Sequence, residues 1–227
     1  KGRSLDRAIE TANIDDTNSQ KSLFKAICYG TIRFYWELKL QLGQYISRPI
    51  KRKDNIIETL LIIGFFQIKK TRIPSHAIVA QTVEAVRLLK KPNLTAFTNA
   101  ILRNFIRSSS KECINSNEEA IFNHPQWLIN MFKNSWPHKW QEIIENNNKQ
   151  APMWLRVNQK KISSKKYLSK IACSKNLPSE EVGFLGDLDQ SICLKNPISV
   201  KSLPDFDNGY VSVQDGAAQI AIECLLN

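Results

Sequence analysis

The sequence predicts a mainly α-helical chain, with an all-helical front over residues 1–110 and a small α/β module over residues 151–206. Apolar residues recur at helical spacing through residues 22–108, and residues 55–69 are apolar on nearly every side, as in a helix packed inside a bundle. After residue 150, two short alternating segments flank a helical pattern at 163–174. A strand, a helix and a second strand in this order indicate a compact α/β unit.

The net charge of +11 is concentrated in the front half. Residues 1–110 contain 19 lysines and arginines against 8 acids, whereas residues 111–227 contain 13 of each. This excess favours a polyanion as partner, nucleic acid first and a membrane surface second. The alternative is a solvated basic surface that only keeps the protein soluble. The sequence contains no run of 18 apolar residues, so no membrane span is predicted.

The cysteines and histidines predict neither disulfides nor a metal site. Five cysteines is an odd number, they are far apart, and no CxxC occurs, which favours free thiols in a reducing cytoplasm. His76, His124 and His138 have no metal-type spacing with one another or with a cysteine. We therefore expect a cytoplasmic protein without a metal ion.

The first long helix is predicted over residues 22–41 from an apolar stripe of Leu23, Ile27, Phe34 and Leu38. Within it, Arg33 is a candidate phosphate contact, and Tyr35 or Trp36 a candidate base-stacking group. The alternative is that the aromatic rings belong to the core and that Arg33 pairs with Glu37 four residues later.

Two further groups of cations in the front part are candidate RNA contacts. The loop before the helix at 55–69 contains three of them: Lys51, Arg52 and Lys53. The helix at 94–108 carries a polar ridge at i, i+4, i+8 and i+12: Thr95, Asn99, Arg103 and Arg107. Such a ridge can follow a phosphate backbone. Alternatively, the two arginines only favour the carboxyl end of the helix dipole.

Residues 111–150 are predicted to be a linker with short helices. The linker is the Ser/Asn-rich stretch at its start. Two helices open at His124-Pro125 and at Trp136-Pro137. Their tryptophans are most simply packing anchors.

The module at 151–206 has the strand–helix–strand order of an RRM-like fold, and its start is strongly basic. Residues 149–175 contain eight cations and no acid, whereas residues 176–227 contain eight acids and two bases. Four residues of the basic part are candidate RNA contacts: Arg156, Asn158, Lys165 and Lys166. The alternative is the solvated face of one lysine-rich helix.

Residues 207–227 predict a turn, a short strand and a helix. Tyr210 to Val213 alternate in polarity, and Asp215 is a good N-cap. The helix has one apolar stripe: Ala218, Ala221, Ile222 and Leu225.

Motifs in both halves of the chain resemble known families. The front part resembles a NusB-type domain, an all-helical RNA-binding fold, at Tyr29-Gly30-Thr31-Ile32-Arg33, at 60–67, at Ile73-Pro74-Ser75-His76-Ala77 and at Asn99-Ala100-Ile101-Leu102-Arg103. The later part resembles the RNA cytosine-C5 methyltransferases of the RsmB/Sun/Fmu type, which act on 16S rRNA, at His124-Pro125-x-Trp127-Leu128, at Leu155-Arg156-Val157-Asn158 and at Tyr210-Val211-Ser212-Val213-Gln214-Asp215.

This resemblance implies a bacterial, cytoplasmic methyltransferase of which the chain is the front half, with residues 207–227 leading into a Rossmann-like catalytic domain. It implies S-adenosylmethionine as cofactor of the full-length protein, 16S rRNA as partner, no membrane partner and a monomer. The family's Gly-rich cofactor loop and catalytic cysteines do not occur in these residues, so we expect no catalytic residue, no bound cofactor and no activity in this chain. Gln214 and Asp215 are expected to support the cofactor site of the whole enzyme.

Two alternative functions remain open. One is a non-catalytic NusB-like factor in transcription antitermination, against which residues 120–226 count because such a factor would end near residue 110. The other is a helical scaffold for protein partners, with charge for solubility alone.

Overall fold

The computed structural model describes residues 4–12, 18–108, 117–173, 182–183, 189–194 and 196–226. The chain divides into two compact units: the helical unit, Lys1–Asn148, and the module, Lys149–Asn227. The helices of the helical unit are α1 (Leu5–Thr11), α2 (Asn18–Arg33), α3 (Tyr35–Gly43), α4 (Asn55–Lys70), α5 (Ser75–Leu88), α6 (Thr95–Arg107), α7 (Glu118–Phe122), α8 (Gln126–Ser135) and α9 (Trp140–Asn148). None of the described helices is both long and apolar enough to cross a membrane. The predicted mainly α-helical class is confirmed.

Helix α4 lies at the centre of the helical unit, as its apolar composition predicts. It packs against α2, α3, α5 and α6. Ile57, Leu61 and Phe65 are fully buried. Phe65 also stacks on Phe105 of α6, with ring centroids 3.7 Å apart. Burial of each such side chain stabilises the fold by about 1.5–3 kcal/mol, so α4 holds the unit together.

The helix predicted over residues 22–41 is in fact two helices, because the backbone departs from α-helical geometry at Phe34. Phe34 has φ −103° and ψ 19°. Its ring packs on the core and stacks with the ring of Phe66 at a centroid distance of 6.4 Å. Beyond this break, α3 buries Leu38 and Leu42, whereas Leu23 in α2 is 46% exposed. The predicted apolar stripe is therefore wrong at its first residue.

The region predicted as a linker with short helices is helical where the structure describes it. Residues 111–116 lie outside the described residues. Helix α7 packs against α3 and ends at Asn123, which has a left-handed φ of 53°. Oδ1 of Asn123 accepts a hydrogen bond from the backbone N–H of Glu37 at 3.1 Å. The cap of α7 therefore also satisfies an N–H group in the first turn of α3.

The module is an antiparallel sheet with helices attached. Its described strands lie in the order β2-β3-β1-β4. They are β1 (Met153–Val157), β2 (Val182–Gly183), β3 (Ser191–Leu194) and β4 (Val211–Val213), and the helices are α10 (Ser164–Cys173) and α11 (Gly216–Leu226). The alternation of β1 places Leu155 and Val157 in a core with Tyr167 and Ile171 of α10. The predicted α/β module is confirmed.

Strand β4 belongs to the module's sheet, whereas the sequence suggested that it begins a following domain. Val211 is 4% exposed and is part of the module core. The backbone N–H of Asn158 donates to the carbonyl of Tyr210 at 2.9 Å, and that of Gln214 donates to the carbonyl of Trp154 at 3.1 Å. With its first strand between the third and the fourth, the sheet has the order of a ferredoxin-like fold, which the RRM shares.

The predicted apolar stripe of α11 is wrong where its side chains are described. Ala218 and Ala221 are exposed, and the fully buried position is Gln219. Nε2 of Gln219 donates to the carbonyl of Gln214 at 3.0 Å and lies 3.5 Å from that of Leu155. A hydrogen-bonded amide therefore joins α11 to the sheet. The side chains of Ile222 and Leu225 lie outside the described residues.

Candidate nucleic-acid interface

The polar ridge predicted on α6 is present on an accessible side of that helix. Arg103 and Arg107 are both exposed. Nε of Arg103 donates to Oδ1 of Asn99 at 3.1 Å, and Nη2 of Arg107 donates to Oδ1 of Asn104 at 2.9 Å. Neutral amides thus orient both guanidinium groups. The alternative, a favourable interaction with the helix dipole, accounts for Arg107, which lies in the last turn of α6. It accounts less well for Arg103, which lies one turn earlier.

A second basic group forms where two connections of the helical unit meet. The loop before α4 contributes the three exposed cations predicted from the sequence: Lys51, Arg52 and Lys53. Lys91, from the connection between α5 and α6, donates to the carbonyl of Lys53 at 3.1 Å and pairs with Asp54. The hydrogen bond from Lys91 holds the pKa of the Asp54 carboxyl below its ordinary value. Exposed Lys90 is adjacent, and neither it nor Lys91 is among the RNA contacts predicted from the sequence.

Arg33 is exposed at the end of α2. The alternative pairing with Glu37 is wrong, because Glu37 pairs with Lys69 of α4. Tyr35 packs on the core, and Trp36 is half-buried, with its ring edge-on to that of Tyr35 at 5.5 Å between centroids. Both rings are therefore partly covered by other side chains. The structure favours the interpretation that these rings belong to the core over the one in which they stack on RNA bases.

Arg156 and Asn158, both predicted RNA contacts, have different surroundings in the module. Arg156 is half-buried on the sheet face opposite the core, and its Nη1 donates to Oε1 of Gln214 at 3.4 Å. Asn158 donates from Nδ2 to the carbonyl of Gly209 at 3.1 Å, and its Oδ1 accepts from the N–H of Lys160 at 3.2 Å. Asn158 therefore braces the turn before β4, whereas the positive charge of Arg156 has no described carboxylate partner.

The two predicted lysines of α10 lie at its amino end. Lys165 and Lys166 are exposed in a first turn that contains no acid. Cations there oppose the helix dipole, typically by about 0.3–1 kcal/mol each, so the stability of α10 does not account for them. Lys170 differs, because it pairs with Asp205 at 2.5 Å and lies 4.8 Å from the ring centroid of Tyr210.

A pocket of about 470 Å³ opens where β1 ends and β3 and β4 begin. Its lining includes Arg156, Asn158, Lys160, Gln190, Gly209 and Ser212. The pocket thus brings two residues predicted from the sequence together with others that were not predicted. The acid-free run at 149–175 could have identified Lys160. No local signal marked Gln190 or Ser212, since strand pairing alone brings them to β1.

Gln214 and Asp215, the predicted supports of a cofactor site, form the turn between β4 and α11. Oε1 of Gln214 accepts from Arg156 at 3.4 Å, and its backbone carbonyl accepts from Gln219 at 3.0 Å. Oδ2 of Asp215 accepts from the N–H of Ala217 at 3.0 Å, as expected for a residue capping α11. Both side chains are engaged within the module, and their expected support of a cofactor site in the whole enzyme stays a prediction.

The described free cysteines are Cys28, Cys173 and Cys193. Burial raises the pKa of the Cys28 thiol, which lowers its reactive thiolate fraction. Cys173 is exposed and Cys193 is buried. Cys113 and the side chain of Cys224 lie outside the described residues. Among the residues that are described, no His, Cys, Asp and Glu side chains group to hold a metal ion.

Comparison with known proteins finds a family match for each of the two units. Residues 1–107 match the NusB family, and residues 124–201 match the family described as Methyltr_RsmF/B-like, ferredoxin-like domain. The chain is similar to ribosomal RNA small subunit methyltransferase B of Vibrio cholerae serotype O1, with 35% identity over 99% of this chain and 51% of that protein. It is also similar to the probable enzyme of that name from Coxiella burnetii, with 39% identity over 93% of this chain and 49% of that protein.

The chain spans about half the length of these curated relatives. Among solved structures, "Crystal Structure of PH0851" superposes with a TM-score of 0.62 at 14% identity, covering 95% of this chain and 48% of that one. That likeness concerns the fold alone. By these two family models, residues 1–107 are similar to the NusB family, and residues 124–201 are similar to the ferredoxin-like domain of the RsmF/B-like methyltransferases.

Proposed function

We propose that this chain is the RNA-binding front half of a small-subunit rRNA methyltransferase. One observation, shared by both units, carries the proposal. Arg103, Arg107 and Arg156 donate to the side-chain amides of Asn99, Asn104 and Gln214 at 3.1, 2.9 and 3.4 Å. An amide orients a guanidinium group without neutralising it, which suits bidentate contact with phosphate.

In the whole protein, we propose transfer of a methyl group to C5 of a cytosine in 16S rRNA, with S-adenosylmethionine supplying the methyl group. The names of the relatives support rRNA methylation, and the resemblance of the motifs supports cytosine C5. Because C5 is a poor nucleophile, a cysteine thiolate must first add at C6. The raised pKa of Cys28 makes that residue unsuited to the task. Because the family's Gly-rich cofactor loop and catalytic cysteines do not occur in these residues, this chain alone is proposed to bind RNA without methylating it.

The proposed contribution of the chain is to position the RNA. A base must leave its stack before an enzyme can reach its ring carbons, and this distortion has a free-energy cost. Cationic surfaces that hold the folded RNA nearby can offset that cost. The second candidate, a NusB-like factor in antitermination, is favoured less, because residues 124–201 match a methyltransferase-associated domain.

The proposal is tested by measuring the affinity of the chain for a 16S rRNA fragment at several salt concentrations. Each phosphate contact on duplex RNA should contribute about 0.9 to the slope of log affinity against log salt, by analogy with duplex DNA. We expect the double variant Arg103→Gln/Arg107→Gln to reduce this slope by about 1.8.

The matched control is Arg72→Gln/Arg87→Gln, which also removes two exposed arginines from the helical unit but leaves the α6 ridge intact. Arg87 already pairs with Glu84 at 2.7 Å, so its charge is partly compensated. Equal slopes for the two double variants would mean that only net charge matters. Absence of salt-dependent RNA binding by the unsubstituted chain would overturn the proposed function.

A further inference from the structure

The pocket at the end of the module's sheet is preformed by hydrogen bonds that leave its cations available. Asn158 uses its side-chain donor and acceptor on Gly209 and Lys160, at 3.1 and 3.2 Å. Nζ of Lys161 donates to the carbonyl of Asn208 at 2.6 Å. These bonds fix the turn before β4, in which Gly209 has a φ of +68° that other residues rarely adopt.

The charge of this pocket is positive. Arg156 and Lys160 contribute cations to the lining, and no lining residue is acidic. In the register of the sheet, Arg156 lies between Ser191 of β3 and Ser212 of β4, two uncharged neighbours. The hydrogen bond described for its guanidinium group goes to an amide oxygen. A half-buried guanidinium group is screened less by water than an exposed one, so an anion here would interact strongly with it.

The remaining lining is polar and neutral. Gln159, Gln190 and Ser212 supply amide and hydroxyl groups that can donate to or accept from sugar hydroxyls. A volume of about 470 Å³ falls in the usual range for small-molecule sites and is more than a single phosphate needs. The lining therefore fits an anionic group with a hydroxylated body attached to it.

We propose that this pocket binds one nucleotide of an RNA strand, with the phosphate at Arg156 and Lys160 and the ribose near Gln190 and Ser212. The proposal deepens the proposed function and rests on it. It assigns the bound strand a defined point of contact on the module. It also gives two neighbouring residues different roles. Arg156 of β1 contacts the ligand, and Asn158, directly after β1, holds the turn that shapes the pocket.

The test is a titration of the full chain with adenosine 5′-monophosphate, followed by backbone amide NMR. We expect the largest shifts at Gln159, Lys160, Gly209 and Ser212. Arg156→Gln should weaken binding roughly tenfold, as expected for loss of one charge-assisted hydrogen bond. Lys201→Gln, which removes an exposed lysine of the module outside the pocket, should leave the affinity unchanged.

Three comparisons define the ligand. Adenosine, which lacks the phosphate, and inorganic phosphate, which lacks the sugar, should both bind more weakly than the monophosphate. The 2′-deoxy monophosphate should bind more weakly than the ribose form, because only RNA has the 2′-hydroxyl. Inorganic phosphate binding as tightly as the nucleotide would overturn the proposal, and so would shifts confined to residues outside the pocket.

Lys160→Gln gives a second variant in case Arg156→Gln disturbs the sheet, since the hydrogen bond described for Lys160 comes from its backbone N–H and not from its side chain. It too should weaken binding of the nucleotide, and unchanged affinity in both variants would count against the site. Failure here is distinguishable from failure of the proposed function. A chain that binds 16S rRNA with a steep salt dependence but does not bind the nucleotide retains the function and loses the pocket.

Discussion

Gly30 of α2 lies where the backbone of this helix comes close to a side chain of another helix. A Cβ atom at this position would overlap the ring of Phe66 in α4. Phe66 is 6% exposed and stacks on Phe34, so its ring has little room to move. Glycine within a helix costs about 1 kcal/mol relative to alanine, and this close packing offsets that cost.

We expect Gly30→Ala to lower the free energy of unfolding by about 1–2 kcal/mol, because overpacking costs more than the helix propensity of alanine restores. Urea unfolding followed by far-UV circular dichroism measures this change. Gly43→Ala is the matched control, because a Cβ there meets no atom within 4 Å. The control should be neutral or stabilising by up to about 1 kcal/mol. A Gly30→Ala protein as stable as the control would show that Phe66 adjusts without cost.

At the scale of elements, α10 is attached to the connection between β3 and β4 through a buried tyrosine. Tyr167 is fully buried, and its hydroxyl donates to the carbonyl of Pro204 at 2.9 Å. Burial, with a smaller effect of Asp205, raises the pKa of Tyr167 to about 12. The unfolded chain loses this proton near pH 10, two units earlier. Stability from Tyr167 is therefore complete below about pH 10 and is lost as the pH rises towards about 12.

We expect Tyr167→Phe to be less stable than the unsubstituted protein at pH 7, by about 1 kcal/mol, because the carbonyl of Pro204 loses its donor. Between about pH 10 and 12 the difference should shrink, because phenylalanine cannot ionise. Urea unfolding across this pH range, followed by far-UV circular dichroism, gives both curves. A constant difference over the whole range would contradict a raised pKa at Tyr167.

The sequence predicted most elements but not the points where tertiary contacts override a regular pattern. Helical periodicity identified α4 and α6, whose buried residues repeat without interruption. The same periodicity runs through Phe34, where packing on Phe66 coincides with a break that no proline or glycine marks. In the described part of α11, a fully buried side chain is that of Gln219, an amide whose backbone acceptors lie partly on β1, far away in sequence.

The candidate interface was predictable to a similar degree. The spacing of four residues placed Arg103 and Arg107 on one ridge, and the local run of cations identified the basic start of the module. Sequence could not show that Lys91 reaches the carbonyl of Lys53, because that contact joins loops 38 residues apart. It also could not show that the side chain of Asn158 donates a hydrogen bond to the turn before β4, since the acceptor, the carbonyl of Gly209, comes 51 residues later.

At the scale of the whole molecule, the position of β4 decides where the module ends. A boundary at residue 206 would exclude this strand from the module. In the structure, Val211 is buried in the module core and β4 pairs with β1 over three residues, from Leu155↔Val213 to Val157↔Val211. Without β4, β1 would become an edge strand with an unpaired row of backbone groups. A boundary after the strand is therefore the one that leaves the module with a complete sheet.

We expect residues 149–227 produced alone to fold, and residues 149–206 to be unfolded or much less stable. Trp154 is the only tryptophan of either fragment, so its fluorescence reports urea unfolding of the sheet directly. Val211→Asp in the longer fragment is the control for length. It keeps every residue but places a charge in the core, and it should destabilise the fragment almost as much as truncation does. If the short fragment instead unfolds at the same urea concentration as the long one, β4 contributes nothing to the module, and the boundary belongs at residue 206.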